Sequence, residues 1–460
     1  MKRGIESYVY DLYKLLKLFT LFKQSSRPGS GGPGFVEKTV PEACRALFCM
    51  ACNLNSMVSV STTGGAGGSL CARQEPLLKR HNASSSLVGI VGSQAVGAWR
   101  YFSVFSCQSG QSDTVCLAFM NRGKWEQWVG TVMSHDDGRS FGGEGSAPTL
   151  TLPAHWEPEP GRRIDWMTSN LAIARHPTDG SYMLFGGLSQ RHATTPGIVY
   201  ARGGTHQYSS DRGGQVPLPT AASNGQWTHY AERSQWRDVR TLFDGRHEGC
   251  VEGRRGIDKL LNATANGGLA CEFDGRISAV HFRGRHWLYV RANPALSGQR
   301  FVQVTSSHDL YEWRPFQLLR FDGYRPVDGD IYFLAVQLNP LSPSSLVGLV
   351  PVVHRRVGCI GLAASLDGVR WSAITPLLRC SSDQGDPTHP GHRTTHQPAA
   401  GMLHRHRHVL LFVHEFVDGI VQHPQGQHQR PARLRRWAVP EQTFSAWTQD
   451  ALKSLTEPSH

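Results

Sequence analysis

From residue 87 onward, the chain alternates short apolar runs with turns rich in Gly, Asn, Pro and Asp. The runs are rich in β-branched and aromatic side chains, which is typical of antiparallel strands and not of helices. The clearest example is residues 271–320, where four such runs follow one another with a turn after each. Four-stranded meanders of this kind form the blades of a β-propeller.

One turn recurs along the chain and indicates a repeating unit. It has the form Ser-x-Asp followed by an aromatic residue. The copies are Ser307-x-Asp309 with Trp313, Ser365-x-Asp367 with Trp371, and Ser134-x-Asp136 with Phe141. In each copy the Ser and Asp side chains can bond backbone groups of the turn, while the aromatic residue packs on the next strand. A single copy resembles any Asp-Gly turn, but three copies at strand ends favour a repeat.

The strand-like runs fall into five sets. The first comprises residues 87–91, 99–106, 114–120 and 125–133; the second comprises 171–175, 182–186 and 198–202, with an outer strand near 227–230; the others span 277–320, 330–378 and 401–438. We therefore predict an all-β fold, a five-bladed β-propeller of four-stranded antiparallel blades, over residues 87–440. Residues 1–80 are predicted to be an amphipathic helix and flexible linker, and residues 441–460 a C-terminal tail.

The N-terminal helix predicted at residues 8–22 has leucines and phenylalanines on one face and Lys14 and Lys17 on the other. Such a helix can lie on a membrane surface, pack on the folded domain or belong to a loose extension. Its lysines interrupt the apolar run too often for a transmembrane span or a signal sequence. Residues 25–34 and 61–69 are rich in Gly and Ser and are predicted to be linkers.

Charge and cysteine content narrow the class of protein. The formal net charge is +12, but the basic residues are scattered and form no recognisable nucleic-acid-binding module, so no nucleic-acid partner is expected. The ten cysteines include the pairs Cys250/Cys271 and Cys359/Cys380, which can close loops. With the sequons at Asn82 and Asn262, they favour a secretory or extracellular protein. We expect a monomer.

The blade pattern carries a resemblance to a known group of enzymes. It rests on Trp287-Leu-Tyr-Val-Arg-Ala-Asn-Pro294, on Asp330-Ile-Tyr-Phe333 and on the Ser-x-Asp turns. These residues resemble the five-bladed propeller glycoside hydrolases, the arabinanase and β-xylosidase group (family 43) with its invertase and levansucrase relatives. The resemblance implies a protein that hydrolyses or transfers glycosidic bonds. Two departures are clear: the invertase nucleophile motif is missing, and residues 84–96 contain no carboxylate where the family has its general base.

Residues that precede the first strand of each blade are expected at the channel mouth, where propellers bind ligands. Asp165, Glu272 and Asp330 precede the first strands of three successive sets. Glycosidic cleavage needs one carboxylic acid and one carboxylate. We predict that Glu272 is the acid and that Asp165 and Asp330 serve as base and modulator. Each of these acidic residues also fits an ordinary turn or capping role.

Four further residues are predicted to bind substrate: Asp274, Arg276, Trp166 and His396. Arg276 can grip a sugar group through its planar fork or form a salt bridge to Glu272 or Asp274. Trp166 can stack on a sugar face. The resemblance implies that a channel histidine such as His396 helps to hold a calcium ion through water; otherwise His396 is a structural histidine. Apart from that calcium ion, no cofactor is expected.

Two classes of function remain open at the level of sequence. In the first, the carboxylates at the mouth cleave or transfer a glycosyl unit. In the second, the propeller has kept its fold, has lost the chemistry and recognises a glycan or a protein.

Overall fold

The structure is a computed structural model. It describes residues 75–90, 99–106, 114–122, 127–141, 151–152, 155–159, 162–165, 169–178, 181–187, 198–203, 236–243, 273, 276–292, 300–324, 329–354, 357–379, 396–415 and 433–457, together with Leu70. The chain divides into two compact units, Met1–Ala66 and Gly67–His460, and all described residues belong to the second. The predicted N-terminal helix and linkers lie outside the described residues. Within these ranges, no helix is long and apolar enough to cross a membrane.

The described chain begins with a short helix and two short strands, followed by the first antiparallel sheet. The elements are α1 (Leu77–Arg80), β1 (Ser84–Leu87), β2 (Gly89–Ile90), β3 (Trp99–Ser106), β4 (Val115–Arg122), β5 (Gln127–Ser134), β6 (Ser140–Phe141) and β7 (Thr151–Leu152). Sheet I has the strand order β3-β4-β5-β7. A separate hairpin follows, made of β8 (His155–Glu159) and β9 (Arg162–Asp165).

Two further meanders follow in sequence. Sheet II consists of β10 (Ser169–Arg175), β11 (Tyr182–Gly187), β12 (Ile198–Gly203) and β13 (Trp236–Phe243). Sheet III consists of β14 (Ser278–Phe282), β15 (Arg285–Ala292), β16 (Phe301–Ser307) and β17 (Gln317–Leu318). In both sheets the strands pair in the order of the chain, as the sequence predicts.

The last two sheets are less regular. Sheet IV contains β18 (Arg320–Phe321), β19 (Asp330–Ile331), β20 (Ala335–Asn339), β21 (Ser342–His354), β22 (Val357–Ser365), β23 (Arg370–Trp371) and β24 (Thr375–Arg379). Sheet V contains β25 (Gln397–Pro398), β26 (Leu403–Arg405), β27 (His408–Glu415), β28 (Arg433–Pro440) and β1. The chain then forms helix α2 (Glu441–Thr456). The fold is mostly β, as predicted.

Burial along the strands shows how the sheets are covered. In β14 the buried and half-buried positions alternate, whereas all seven residues of β16 are buried. In β27 every residue after His408 is buried. A strand that is buried on both faces must lie in a sheet covered on both sides, so sheets III and V each pack between neighbours. Each fully buried Leu or Phe contributes roughly 1.5–3 kcal/mol to folding.

The apolar side chains form four clusters, and each joins two sheets. The clusters include Tyr289 and Trp371 between sheets III and IV, Leu349 and Leu411 between IV and V, Phe102 and Phe412 between V and I, and Phe185 and Leu288 between II and III. Sheets I and II meet through Phe105 and Tyr182, whose rings are 5.6 Å apart in an edge-on arrangement. Each sheet therefore packs on two others, in the cyclic order I to V.

The N-terminal strand β1 supplies the outer strand of sheet V. It pairs antiparallel with β28, from Ser84 opposite Ala438 to Leu87 opposite Arg435. The chain then enters β2, which pairs parallel with β6 after the Ser134 turn of sheet I. The same connection links sheet III to sheet IV, where β18 pairs parallel with β23 after the Ser365 turn. The connection from sheet V to sheet I therefore has the same form as the connection from sheet III to sheet IV.

A second contact joins sheets V and I through their backbones. Ala400 accepts a hydrogen bond from the amide of Val104 at 2.7 Å and donates one to Phe102 at 2.8 Å. The next residue, Gly401, has a φ of +97°, and a Cβ there would lie 1.8 Å from the carbonyl oxygen of Val104. Only glycine can occupy this position without moving the backbone.

The three Ser-x-Asp turns have the geometry expected from the sequence. The serine hydroxyl accepts a hydrogen bond from the amide of Gly138, Leu310 or Gly368 at 2.8–2.9 Å. The aspartate accepts hydrogen bonds from two further backbone amides. In the second copy the donors to Asp309 are the amides of Tyr311 and Glu312, at 2.8 and 2.9 Å. Those two amides and the Ser307 hydroxyl hold the pKa of Asp309 down to about 2.

The aromatic residue that follows each turn packs on the neighbouring sheet. Trp313 of sheet III lies 5.5 Å from Phe243 of sheet II, and Trp371 of sheet IV lies 6.0 Å from Tyr289 of sheet III. Phe141 of β6, which follows the Ser134 turn of sheet I, lies 6.3 Å from Phe412 of sheet V. The repeated turn therefore positions the side chain that joins one sheet to the sheet before it.

One strand prediction was wrong. Residues 87–91 do not form the first strand of sheet I, because residues 84–87 pair with β28 and β3 takes the inner position. In sheet II the strand that pairs with β12 on its outer side is β13, which was not predicted, whereas the strand predicted near residues 227–230 lies outside the described residues. The charges in β13 concealed the strand, although Phe243 at its end is buried against Phe273 and Phe316.

Residues 441–456, expected within a C-terminal tail, form α2. Phe444 and Trp447 of this helix are buried in the cluster that joins sheets IV and V. The indole of Trp447 also donates a hydrogen bond to the hydroxyl of Thr375 at 3.1 Å. The helix is thus packed on the outer strand of sheet IV.

Two cysteines in the described sheets are disulfide-bonded, Cys116 in β4 and Cys359 in β22. Cys380, the partner expected for Cys359, and the pair Cys250/Cys271 lie outside the described residues.

Two deletions test the role of β1. Removing residues 1–69 should leave the melting midpoint almost unchanged, because it spares α1 and β1. Removing residues 1–87 also removes the pairing to β28 and the buried Leu77 and Leu78. That loss should lower the midpoint by about 10 °C or more, measured by calorimetry. Equal midpoints for the two deletions would show that β1 does not close sheet V.

Candidate functional site

Charged and polar side chains gather at the end of the sheets where β14, β20 and β25 begin. Antiparallel pairing brings the end of β15, the start of β16, the end of β27 and the start of β28 to the same place. Three groups of residues lie there: Arg276, the Tyr332 cluster (Arg291, Arg300, Asp330 and Tyr332) and the Glu415 cluster (His396, Glu415, Arg433 and Arg435). Sequence reasoning predicts Arg276, Asp330 and His396 at this end.

Arg276 connects three sheets. It precedes β14 of sheet III, is only 1% exposed, and donates a hydrogen bond from Nη2 to the Ser103 hydroxyl of sheet I at 2.6 Å. Its guanidinium carbon also lies 5.9 Å from the ring centre of Phe333 in sheet IV. A buried guanidinium costs several kcal/mol unless it is well paired, so this side chain marks a specific polar site. The salt bridge to Glu272 or Asp274 remains a prediction, because both acids lie outside the described residues.

The Tyr332 cluster continues outward from Arg276. The rings of Phe333 and Tyr332 are 5.5 Å apart. The guanidinium carbon of Arg300 lies 4.7 Å from the Tyr332 ring centre, and that of Arg291 lies 5.9 Å from it. Both distances are within the range of a cation–π contact. The half-buried phenol ring is therefore flanked by two positive charges.

Asp330 is the carboxylate of the Tyr332 cluster. Its Oδ2 lies 3.3 Å from Nε of Arg300, and the amide of Ile331 donates to the backbone oxygen of Arg300 at 3.2 Å. The Asp330 side chain remains 31% exposed. This ion pair orients the carboxylate and leaves it accessible to solvent. The predicted role of Asp330 as base or modulator stays a prediction.

The Glu415 cluster lies on sheet V. Glu415 is 5% exposed and accepts hydrogen bonds from Nε of Arg433 at 2.5 Å and Nε of Arg435 at 2.7 Å. Burial raises the pKa of Glu415, but the hydrogen bonds from Arg435 and Arg433 outweigh burial, and its pKa lies below the ordinary value. The carboxylate therefore stays ionised and is unsuited to the role of a general acid.

His396 precedes β25, beside Glu415, and is 7% exposed. Burial lowers its pKa to about 4; the carboxylate of Glu415 opposes this shift, whereas Arg433 and Arg435 add to it. The imidazole is therefore neutral at pH 7 and can serve as a hydrogen-bond acceptor. Within the described residues, no group of three or more His, Cys, Asp or Glu side chains is placed to hold a metal ion. The calcium ion at the channel mouth stays a prediction.

The remaining predicted residues are only partly visible. Asp165 is the last residue of β9, where it pairs with His155, and its side chain is not described. Glu272, Asp274 and Trp166 lie outside the described residues. Between Glu272 and Asp274 along the chain, Phe273 is buried against Phe243 and Phe316 at the interface of sheets II and III. The convergence of Asp165, Glu272 and Asp330 stays a prediction.

Four residues of these clusters were not predicted from the sequence: Arg300, Glu415, Arg433 and Arg435. The predicted site residues precede the first strand of a set, whereas these four lie near the ends of middle and outer strands. A signal exists: Glu415 ends the apolar run of β27, and antiparallel pairing places it beside the residue before β25. Examining the strand ends that pair beside each predicted site residue would have identified Glu415 and its neighbours.

No protein-family model matches the sequence, and no curated protein is similar to it in sequence. By structure, the chain is similar to an N-acetylgalactosamine deacetylase from F. plautii in complex with blood group B trisaccharide, with a TM-score of 0.43 and 12% identity over 82% of this chain and 100% of that one. It is also similar to a glycosyl hydrolase from Bacteroides ovatus, with a TM-score of 0.41 and 13% identity over 78% and 94% of the two chains. A third similar structure is a family 117 glycoside hydrolase from Zobellia galactanivorans, with a TM-score of 0.40 and 11% identity over 82% of this chain and 98% of that one. Glycoside hydrolases are the class that the sequence resembles, but at such low TM-scores these likenesses establish no activity.

The lowered pKa of His396 predicts a pH dependence of stability. The unfolded histidine binds a proton below pH 6.5 and the folded one only below about pH 4. Folding stability should therefore fall as the pH is lowered from 6.5 to 4, with a contribution from His396 of at most about 1.4 kcal/mol per pH unit. The variant His396→Gln should flatten this slope in urea unfolding measured at several pH values. A slope identical to that of the parent, or an imidazole that titrates near pH 6.5 by NMR, would contradict the assignment.

Proposed function

We propose that the described sheets form a five-bladed β-propeller and that the protein is a carbohydrate-active glycoside hydrolase. The cyclic packing supports the five blades, because sheets I to V each contact two neighbours and β1 joins the last sheet to the first. The gathering of Arg276, Asp330 and His396 at one end of the first strands supports a ligand site at that end. Propellers bind their ligands at this position.

The proposed chemistry uses the carboxylates that sequence reasoning assigned. Glu272 protonates the oxygen of the leaving group, while Asp165 and Asp330 act as base and modulator toward water and the anomeric carbon. Asp274, Arg276, Trp166 and His396 contact the sugar. Two described residues near Glu272 agree with this placement: Phe273 is anchored between sheets II and III, and Arg276 reaches Ser103 of sheet I.

A second candidate function is glycan binding without cleavage. It is favoured by the state of the described acids, since Asp330 and Glu415 are both bonded to arginines. It is also favoured by the stretch that precedes β3 of sheet I, because residues 88–98 contain no carboxylate. On this alternative, the polar cluster recognises a sugar and leaves the glycosidic bond intact.

The variant Glu272→Gln distinguishes these roles. The amide keeps the shape of the carboxyl group and loses its proton, so turnover of natural glycosides should fall by about 10²-fold or more while glycan binding persists. Aryl glycosides with good leaving groups need little protonation and should lose less activity. A matched control is Glu312→Gln, which removes an exposed carboxylate from the Ser307 turn of sheet III.

The outcomes separate the two functions. Unchanged turnover of natural glycosides by Glu272→Gln would remove Glu272 from the mechanism. A parent protein that binds glycans and cleaves none would establish the binding function instead.

A further inference from the structure

Arg300 is held by three contacts and, within the described residues, keeps part of its hydrogen-bonding capacity unused. Its Nε donates to Asp330, its guanidinium lies over the ring of Tyr332, and its backbone oxygen accepts the amide of Ile331. Among the described residues, this bond from Nε is the hydrogen bond that its side chain makes. The terminal nitrogens Nη1 and Nη2 are not among the described side-chain atoms that are both buried and without a hydrogen-bond partner, and the side chain is 18% exposed.

A guanidinium fixed in this way is suited to an anion. Its two terminal nitrogens form a planar fork that matches the oxygens of a carboxylate or a sulfate. The stacking ring and the Asp330 bond hold the fork in place, so little side-chain entropy is lost when a ligand binds. A neutral hydroxyl would use only one of the two donors.

The local charge also favours an anion. The guanidinium of Arg291 contacts the Tyr332 ring, as that of Arg300 does. The described residues of the Tyr332 cluster therefore contain two guanidiniums and one carboxylate, that of Asp330. On sheet V, two arginines likewise share the carboxylate of Glu415. Within the described residues of both clusters the arginines outnumber the carboxylates, which favours a negatively charged group beside Arg300 over a neutral one.

Resting on the proposed carbohydrate function, we propose that the protein recognises an acidic saccharide and that Arg300 binds its anionic substituent, a carboxylate or a sulfate ester. Tyr332 and Asp330 position the guanidinium. Phe333 connects this subsite to Arg276, so the anionic group lies beside the sugar unit that the other site residues contact.

The first experiment applies the full chain to an array of neutral, uronate-bearing and sulfated oligosaccharides. We expect binding to acidic oligosaccharides, weakened by added salt. Preference for the uronate or for the sulfated members identifies the source of the charge. Binding to neutral members with no gain from either substituent would overturn the inference and leave the carbohydrate function intact. Binding to no oligosaccharide would contradict the carbohydrate function itself.

The second experiment uses calorimetric titration with the acidic oligosaccharide that binds best and its neutral counterpart. Arg300→Met keeps the length of the side chain and removes the fork, and should weaken acidic binding by about 10- to 100-fold with little effect on the neutral counterpart. Arg320→Met, which removes an exposed arginine of β18, should change neither affinity. An equal loss for both ligands would show a merely structural role.

A conservative variant covers the case in which Arg300→Met does not fold, as judged by its melting curve. Arg300→Lys keeps the charge beside Asp330 and loses the planar fork. This variant should fold like the parent, and its ratio of affinities for the acidic and the neutral oligosaccharide should be several-fold lower than that of the parent. Full retention of that preference would overturn the role of the fork.

Discussion

The contact between the first and last sheets is the constraint on which the rest of the structure depends. It consists of the β1–β28 pairing, the parallel pair β2–β6, the backbone bonds of Ala400 and the packing of Phe141 on Phe412. A series of meanders leaves an open face at each end, and these faces carry apolar side chains that must be buried. Between sheets I and V these side chains, among them Phe102 and Phe412, pack against each other in one cluster.

This closure also determines where the polar residues lie. Arg276 reaches Ser103 only because sheet I is held beside sheet V, where Ser103 forms a parallel bridge with Ala400. Arg276, Asp330 and His396 each precede the first strand of a sheet and are far apart along the chain. The packing of the sheets on one another brings them to the same end of the sheets. The candidate site is thus a consequence of the packing between sheets, and no single sheet contains it.

Local chemistry made much of the fold predictable. The Ser-x-Asp turns bond only to their own backbone, and the middle strands are continuous apolar runs, so both can be recognised in the sequence. The position of β1 could not be, because its partner β28 lies about 350 residues later and its four exposed residues show no apolar pattern. Strand β13 was missed because its charged residues conceal the alternation, and α2 because its apolar residues were assigned to a tail.

The site was predictable only in part, for a similar reason. Arg276, Asp330 and His396 were found because they precede first strands, a rule that follows from topology. Arg300 and Glu415 were missed because their importance depends on which strand ends lie side by side, and antiparallel register decides that. Buried arginines such as Arg276 also depend on partners that are remote in the sequence.

The closure between sheets I and V is tested most directly by a double-mutant cycle on Phe141 and Phe412. Each residue is replaced by Leu, alone and together, and the free energy of unfolding is measured for the four proteins. If the two rings pack on each other, the coupling energy should be about 0.5–1.5 kcal/mol. Strictly additive effects of the two substitutions would contradict the contact, and with it the cyclic arrangement of the five sheets.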